Sequence, residues 1–131
     1  MAHYALDPCI VTRRIKETRD FYTRHFKAEI LFDSPWYLVL RLGEEEGAPE
    51  IVFMLPQQGQ TEFTGQGVAF NIRVDDVDEE YRRLVAAEVT VLLPLEDHDW
   101  GDRGFTIADP NGVALYFYTP ISPEDQFHML F

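Results

Sequence analysis

Four histidines, one cysteine and twenty-three Asp and Glu residues are the side chains here that could bind a metal or move a proton. His3, His25, His98 and His128 are scattered, and no two stand at the i,i+4 spacing of a helical ligand pair or the i,i+2 spacing of a strand pair. Glu96 and His98 can share one side of a strand end, with Asp97 and Asp99 beside them, but a run of this polarity reads first as a solvated loop. Cys9 has neither an adjacent His nor a helix N-terminus, so it reads as a small buried hydrophobe rather than a nucleophile. Ser34 and Ser122 lie in turns without a Gly-x-Ser-x-Gly elbow, and Gly101-x-x-Gly104 lacks the Lys-Ser/Thr of a phosphate loop. Hydrolase and nucleotide chemistry therefore have no support in the motifs.

The elements that would position these residues follow from periodicity. Residues 14–26 read as a helix whose apolar side carries Ile15, Thr18, Phe21, Tyr22 and Phe26. Residues 76–87 read as a second, with Asp76 as cap, Glu79 completing a capping box, and Val77, Tyr81, Leu84 and Val85 at i, i+4, i+7 and i+8. Strand-like runs occupy 9–12, 29–32, 36–42 and 50–55 around the first helix, and 68–74, 89–95, 103–108 and 113–118 around the second. Strand, helix and three strands thus occur twice, over about residues 8–56 and 67–120, in one domain spanning 1–131 with a tail at 121–131. The segment from Ile51 to Pro56 also aligns with that from Leu115 to Pro120, matching Phe53 to Phe117 and Pro56 to Pro120. Each helix would cover one sheet face, and the uncovered concave faces would define a cavity.

Four segments in order, Thr18-Arg19-Asp20-Phe21-Tyr22, Val74-Asp75-Asp76-Val77-Asp78, Trp100-Gly101-Asp102-Arg103-Gly104-Phe105 and Asp109-Pro110-Asn111-Gly112, resemble the vicinal oxygen chelate superfamily of glyoxalases, bleomycin resistance proteins and extradiol dioxygenases. The resemblance covers nearly the whole chain, and the Trp-Gly-x-Arg element followed by Asp-Pro-x-Gly looks most like the bleomycin-resistance branch. It implies an α+β fold of two βαβββ modules, a curved mixed sheet around a cavity, and a homodimer. Enzymes of that superfamily hold a divalent metal with His or Glu on the first and fourth strands of each module. Carried over by position, those places fall on Asp7, Val52, Ala69 and Tyr116. Only Asp7 is an ordinary metal ligand, and the neighbours Pro8, Ile51, Phe53, Val68, Phe70, Leu115 and Phe117 are no better suited.

The expectation is therefore capture rather than turnover, with no catalytic residue, metal or cofactor. Alternation from Ala69 and Tyr116 turns Asn71, Arg73, Ala114 and Tyr118 inward, and the first module contributes Glu50, Val52 and Met54. Trp36, Tyr37, Trp100 and Phe105 stand at the rim. The expected ligand site is Trp36, Val52, Met54, Asn71, Arg73, Trp100, Arg103, Tyr116 and Tyr118. In it Trp36, Trp100, Tyr116 and Tyr118 stack on an aromatic or cationic organic molecule, and Asn71 and Arg73 orient it. Arg103 and Trp100 could equally fix a strand junction. The alternative is a metal-dependent lyase, isomerase or dioxygenase with atypical ligands drawn from Asp7, Glu50, Glu96 and His98.

Composition bounds the partners. With 46% hydrophobic and 26% charged residues the chain can bury a core. Its net charge of −12 repels phosphate backbones and anionic lipid, which leaves nucleic acid and membranes as poor partners. No apolar run approaches the roughly 20 residues of a bilayer span, and the N-terminus has no basic region followed by an apolar core. A single cysteine fits a reducing cytoplasm. In the tail, Ser122 and Pro123 could open a helix whose stripe of Phe127, Leu130 and Phe131 docks on the body or on a partner subunit.

Overall fold

The computed structural model describes residues 1–121. The helix expected from Ser122 onward, with Phe127, Leu130 and Phe131, lies outside the described residues. Two compact units are present, Met1–Thr64 and a second that begins at Gly65.

The first unit runs β1 (Cys9–Val11), α1 (Ile15–Phe26), β2 (Glu29–Asp33), β3 (Tyr37–Arg41) and β4 (Glu50–Met54). Its sheet has the order β1-β4-β3-β2, with β1 parallel to β4 and the other pairs antiparallel. The chain enters α1 through Thr12, whose Oγ1 accepts from the Arg14 backbone N–H at 3.0 Å. Ile15, Thr18 and Tyr22 then fall on one helical face and are buried, and the Tyr22 ring packs 5.4 Å from that of Phe53. Leu38, Leu40, Ile51 and Phe53 complete this core.

The second unit repeats the plan with β5 (Ala69–Arg73), α2 (Val77–Ala86), β6 (Val91–His98), β7 (Asp102–Ala108) and β8 (Ala114–Pro120), in the sheet order β5-β8-β7-β6. Asp76 caps α2 by accepting from Glu79 N–H at 3.1 Å. The expected return bond of the capping box gives way to an ion pair, because Glu79 Oε2 accepts from Arg82 Nη2 at 2.6 Å. Val77 and Leu84 are buried and Tyr81 packs edge-on against Phe105 at 5.0 Å, whereas Val85, the fourth member of the expected stripe, stays 46% exposed. The turn into β8 rests on Asp109, whose buried Oδ1 accepts from both Asn111 N–H and Val113 N–H at 2.8 Å while Gly112 takes φ +82.

One boundary differs in a way that matters. The polar run Glu96-Asp97-His98 reads as loop from sequence, yet β6 extends through it to His98. Two irregularities absorb extra residues, after which Glu96 pairs with Gly104, Asp97 with Arg103 and His98 with Asp102. Backbone pairing to β7 and side-chain partners on both faces take the place of apolar burial.

Because Leu84 is sealed while Val85 is half open, truncating the two should separate core from surface on a single helix. Leu84→Ala is expected to cost about 2–5 kcal/mol in urea unfolding, and Val85→Ala well under half of that.

Candidate functional site

Alternation along β8 sorts the second sheet into two faces. Leu115 and Phe117 are buried on the α2 side, with Phe105 and Ile107 beside them in register. Tyr116 and Tyr118 project from the opposite face, paired with Asn71 and Arg73 on β5 and with Thr106 and Gly104 on β7. The same face takes in Glu96 and His98 from β6 and Asp102 from β7 through the registers Glu96 to Gly104 and His98 to Asp102.

Here four side chains interlock. The Tyr116 hydroxyl donates to Asp102 Oδ1 at 2.5 Å, and His98 Nδ1 lies 3.2 Å from the same oxygen and 2.9 Å from the tyrosine oxygen. A proton on Nδ1 satisfies both contacts, since Asp102 Oδ1 and the phenol oxygen can each accept from it. The Trp100 indole lies flat on the His98 ring, 4.3 Å between centroids and 4° between planes. Tyr116 and Tyr118 are also parallel, at 5.8 Å and 10°. The imidazole and the carboxylate are largely enclosed, with side-chain exposures of 11% and 13%, while Trp100 is 69% exposed.

Gly104 makes the arrangement possible. A Cβ there would lie 2.6 Å from the Tyr116 hydroxyl, 2.7 Å from its Cζ and 2.6 Å from the Phe117 carbonyl oxygen. Only a glycine lets the tyrosine cross β7 to reach Asp102. Burial of the phenol, followed by its bond to Asp102 and the nearby negative charge, pushes the Tyr116 pKa well above the usual tyrosine value; a Trp100 N–H contact pulls weakly the other way. Tyr116 is therefore a protonated donor throughout the physiological range.

Several expectations change on contact with these positions. Arg103 stands on the α2 face, not the open one: its Nη2 reaches Asp78 Oδ1 at 2.9 Å and its Nη1 reaches Asp97 Oδ1 at 3.1 Å. Its hydrogen bond holds the Asp78 carboxyl below the ordinary range and its own pKa rises in return. Of the two roles weighed for it, this geometry is that of a clamp between β7, β6 and α2. His98 is a partnered strand residue rather than part of a solvated loop. Cys9 is exposed rather than buried, and the partial burial of its thiol raises its pKa, which opposes nucleophilic use. Phe105, placed at the rim from sequence, is fully buried under α2.

In the first unit Phe53 packs on Tyr22, so Val52 and Met54 lie on the face away from α1, in register with Val39 and Tyr37. Val52 is buried, and Trp36, just before β3, is half exposed with its ring 5.1 Å from that of Tyr37. Sequence reasoning missed Asp102 and gave His98 only to a metal. The signal was present: His98 and Asp102 flank the tight turn at Gly101, where φ is +98, and a hairpin places such residues opposite each other.

The four positions carried over as metal ligands do not fit a divalent ion. Val52 and Ala69 offer no donor atom, Tyr116 keeps its proton and is already engaged, and Asp7 is a lone carboxylate on the exposed stretch before β1. No group of three or more His, Cys, Asp or Glu able to hold an ion occurs among the described residues.

Comparison with known proteins gives a consistent pattern. A family model described as the Glyoxalase/Bleomycin resistance protein/Dioxygenase superfamily matches residues 1–117. An uncharacterized protein of Mycobacterium bovis is 31% identical, the match covering 82% of this chain and 78% of that protein. Among solved structures, TnmS3, an antibiotic binding protein from Streptomyces sp. CB03234, superposes with a TM-score of 0.73 at 21% identity, over 92% of this chain and 98% of that one. A lactoylglutathione lyase from Agrobacterium tumefaciens superposes with a TM-score of 0.71 at 20% identity, over 90% and 95%. Binding proteins and enzymes thus share this fold, so chemistry must be argued from the residues.

Two outcomes follow for the interlocked residues. Gly104→Ala should cost about 1–3 kcal/mol, read by chemical denaturation, because phenol and backbone crowd the new methyl. An absorbance titration should show one of the six tyrosines ionising later than the rest, and Tyr116→Phe should remove it. Since the folded pKa is the higher one, Tyr116 contributes stability that is complete below the unfolded value near 10 and is lost as pH rises through the folded value.

Proposed function

The chain belongs to the glyoxalase/bleomycin resistance protein/dioxygenase superfamily, and within it we propose a metal-independent small-molecule binding protein that captures an aromatic or cationic organic ligand on the open face of its second sheet. One observation carries this reading. At the position where the resemblance calls for a metal-binding carboxylate stands Tyr116, a phenol held in its protonated form and tied to Asp102. A fixed, neutral ring in that place serves stacking rather than Lewis-acid chemistry.

The surroundings favour the same use. Tyr118 lies parallel to Tyr116, and Trp100 exposes the face of its indole that is not covered by His98. Asn71 and Arg73 border these rings on β5 and supply hydrogen bonds to orient a ligand. In the first unit, taken by itself, Val52 and Met54 form an apolar patch on the face away from α1, with Trp36 just before β3. An antibiotic binding protein shares the fold, which is a precedent for small-molecule binding on it. The reading further includes a cytoplasmic homodimer, with antibiotic resistance by sequestration as its biological role.

The competing reading, a metal-dependent lyase, isomerase or dioxygenase, has the contact between His98 Nε2 and Glu96 Oε1 at 3.6 Å in its favour, with Asp7 and Glu50 as its remaining candidates. Titrating chelator-treated protein with 2-naphthylmethanol while following tryptophan fluorescence separates the two. Saturable binding without added metal is expected, with the probe recovered unchanged and affinity lowered about three- to tenfold in Trp100→Ala or Tyr118→Ala. Binding that requires a divalent ion would overturn the proposal.

A further inference from the structure

Asp102 is a carboxylate in an unusual position. Its side chain is only 13% exposed, yet its partners are the Tyr116 hydroxyl and His98 Nδ1, both at Oδ1. Oδ2 accepts no hydrogen bond among the described residues. No Lys or Arg pairs with Asp102 among the described residues, because Arg103, next in sequence, turns to the other face and is consumed by Asp78 and Asp97. Enclosed charges are normally paired, since an uncompensated one loses hydration without recovering it. The other carboxylate nearby, Glu96, is 60% exposed and adds to the negative potential over His98.

On the open face that Asp102 shares stand three aromatic rings whose faces attract cations: Tyr116, bonded to the carboxylate, Tyr118, parallel to Tyr116, and Trp100, stacked on His98. We propose that Asp102, framed by Trp100, Tyr116 and Tyr118, is the subsite for an alkylated ammonium group of the captured ligand. The inference rests on the capture reading and deepens it, assigning the charge-selecting role to a residue outside the stacking set. Tyr116 and His98 hold Oδ1 in place, Oδ2 is left for the cation, and the rings replace part of its hydration. A neutral ligand of the same shape would use the rings alone.

A matched pair of probes tests this: 2-naphthylmethyl-trimethylammonium, a permanent cation, against 2-naphthylmethanol, each titrated at pH 8 into the full chain and its variants. In the unaltered protein the cation is expected to bind at least tenfold more tightly than the alcohol. Asp102→Asn should bring that ratio to within about threefold of unity. Tyr116→Phe removes the same hydrogen bond while keeping the carboxylate, so the ratio should persist whatever happens to either affinity; thermal melts verify that both variants fold. Equal affinities in the unaltered protein would overturn the ammonium subsite and leave the capture reading standing. Ratios that collapse alike in both variants would reduce Asp102 to a positioning residue for Tyr116 and overturn the subsite as well. Failure of both probes to bind would sink the two together.

Discussion

The hydrogen bond from Tyr116 to Asp102 is the constraint around which the open face of the second sheet is arranged. To make it, the phenol must pass over β7, and that requires Gly104 beneath it. The same carboxylate oxygen fixes the His98 imidazole, and the imidazole in turn carries the Trp100 indole. One bond thus orders rings from β8, from β6 and from the turn that joins β6 to β7 without any of them entering the apolar core. A ring held in this way loses little freedom when a ligand stacks on it, which is the physical meaning of a preorganised face.

Behind that face the sheet is secured differently. Leu115, Phe117, Phe105 and Ile107 pack beneath α2, and Arg103 joins β7 to Asp97 on β6 and to Asp78 on α2. Apolar burial and one ion-pair clamp therefore occupy one side, leaving the other to polar and aromatic chemistry. The first unit follows the same division, with Tyr22 and Phe53 on the helix side and Val52 and Met54 opposite. Its repeated strand order makes Val52 the counterpart of Tyr116, and neither residue is an ordinary metal ligand.

Much of this was legible in the sequence because it depends on periodicity. The two helices, the repeated strand plan and the sorting of Phe117 from Tyr116 all follow from spacings of 3.6 and 2 residues. What escaped is what periodicity does not encode. Glu96, Asp97 and His98 look like a loop because their partners lie across a hairpin, on Gly104, Arg103 and Asp102. Residue type leaves Arg103 open between a ligand contact and a strand junction, and its strand parity, one removed from Gly104, turns it toward α2. Val85 fits the helical stripe yet remains half exposed.

The central claim is that hydrogen-bonded aromatic side chains, and not a metal ion, form the recognition surface of this family member. Isothermal titration of chelator-stripped protein with zinc, nickel, manganese and, under anaerobic conditions, ferrous iron tests it most directly. The account predicts no stoichiometric binding of any of the four. Tight binding of one ion per chain, lost when Glu96 or His98 is replaced, would contradict it and return the molecule to the superfamily's metal chemistry.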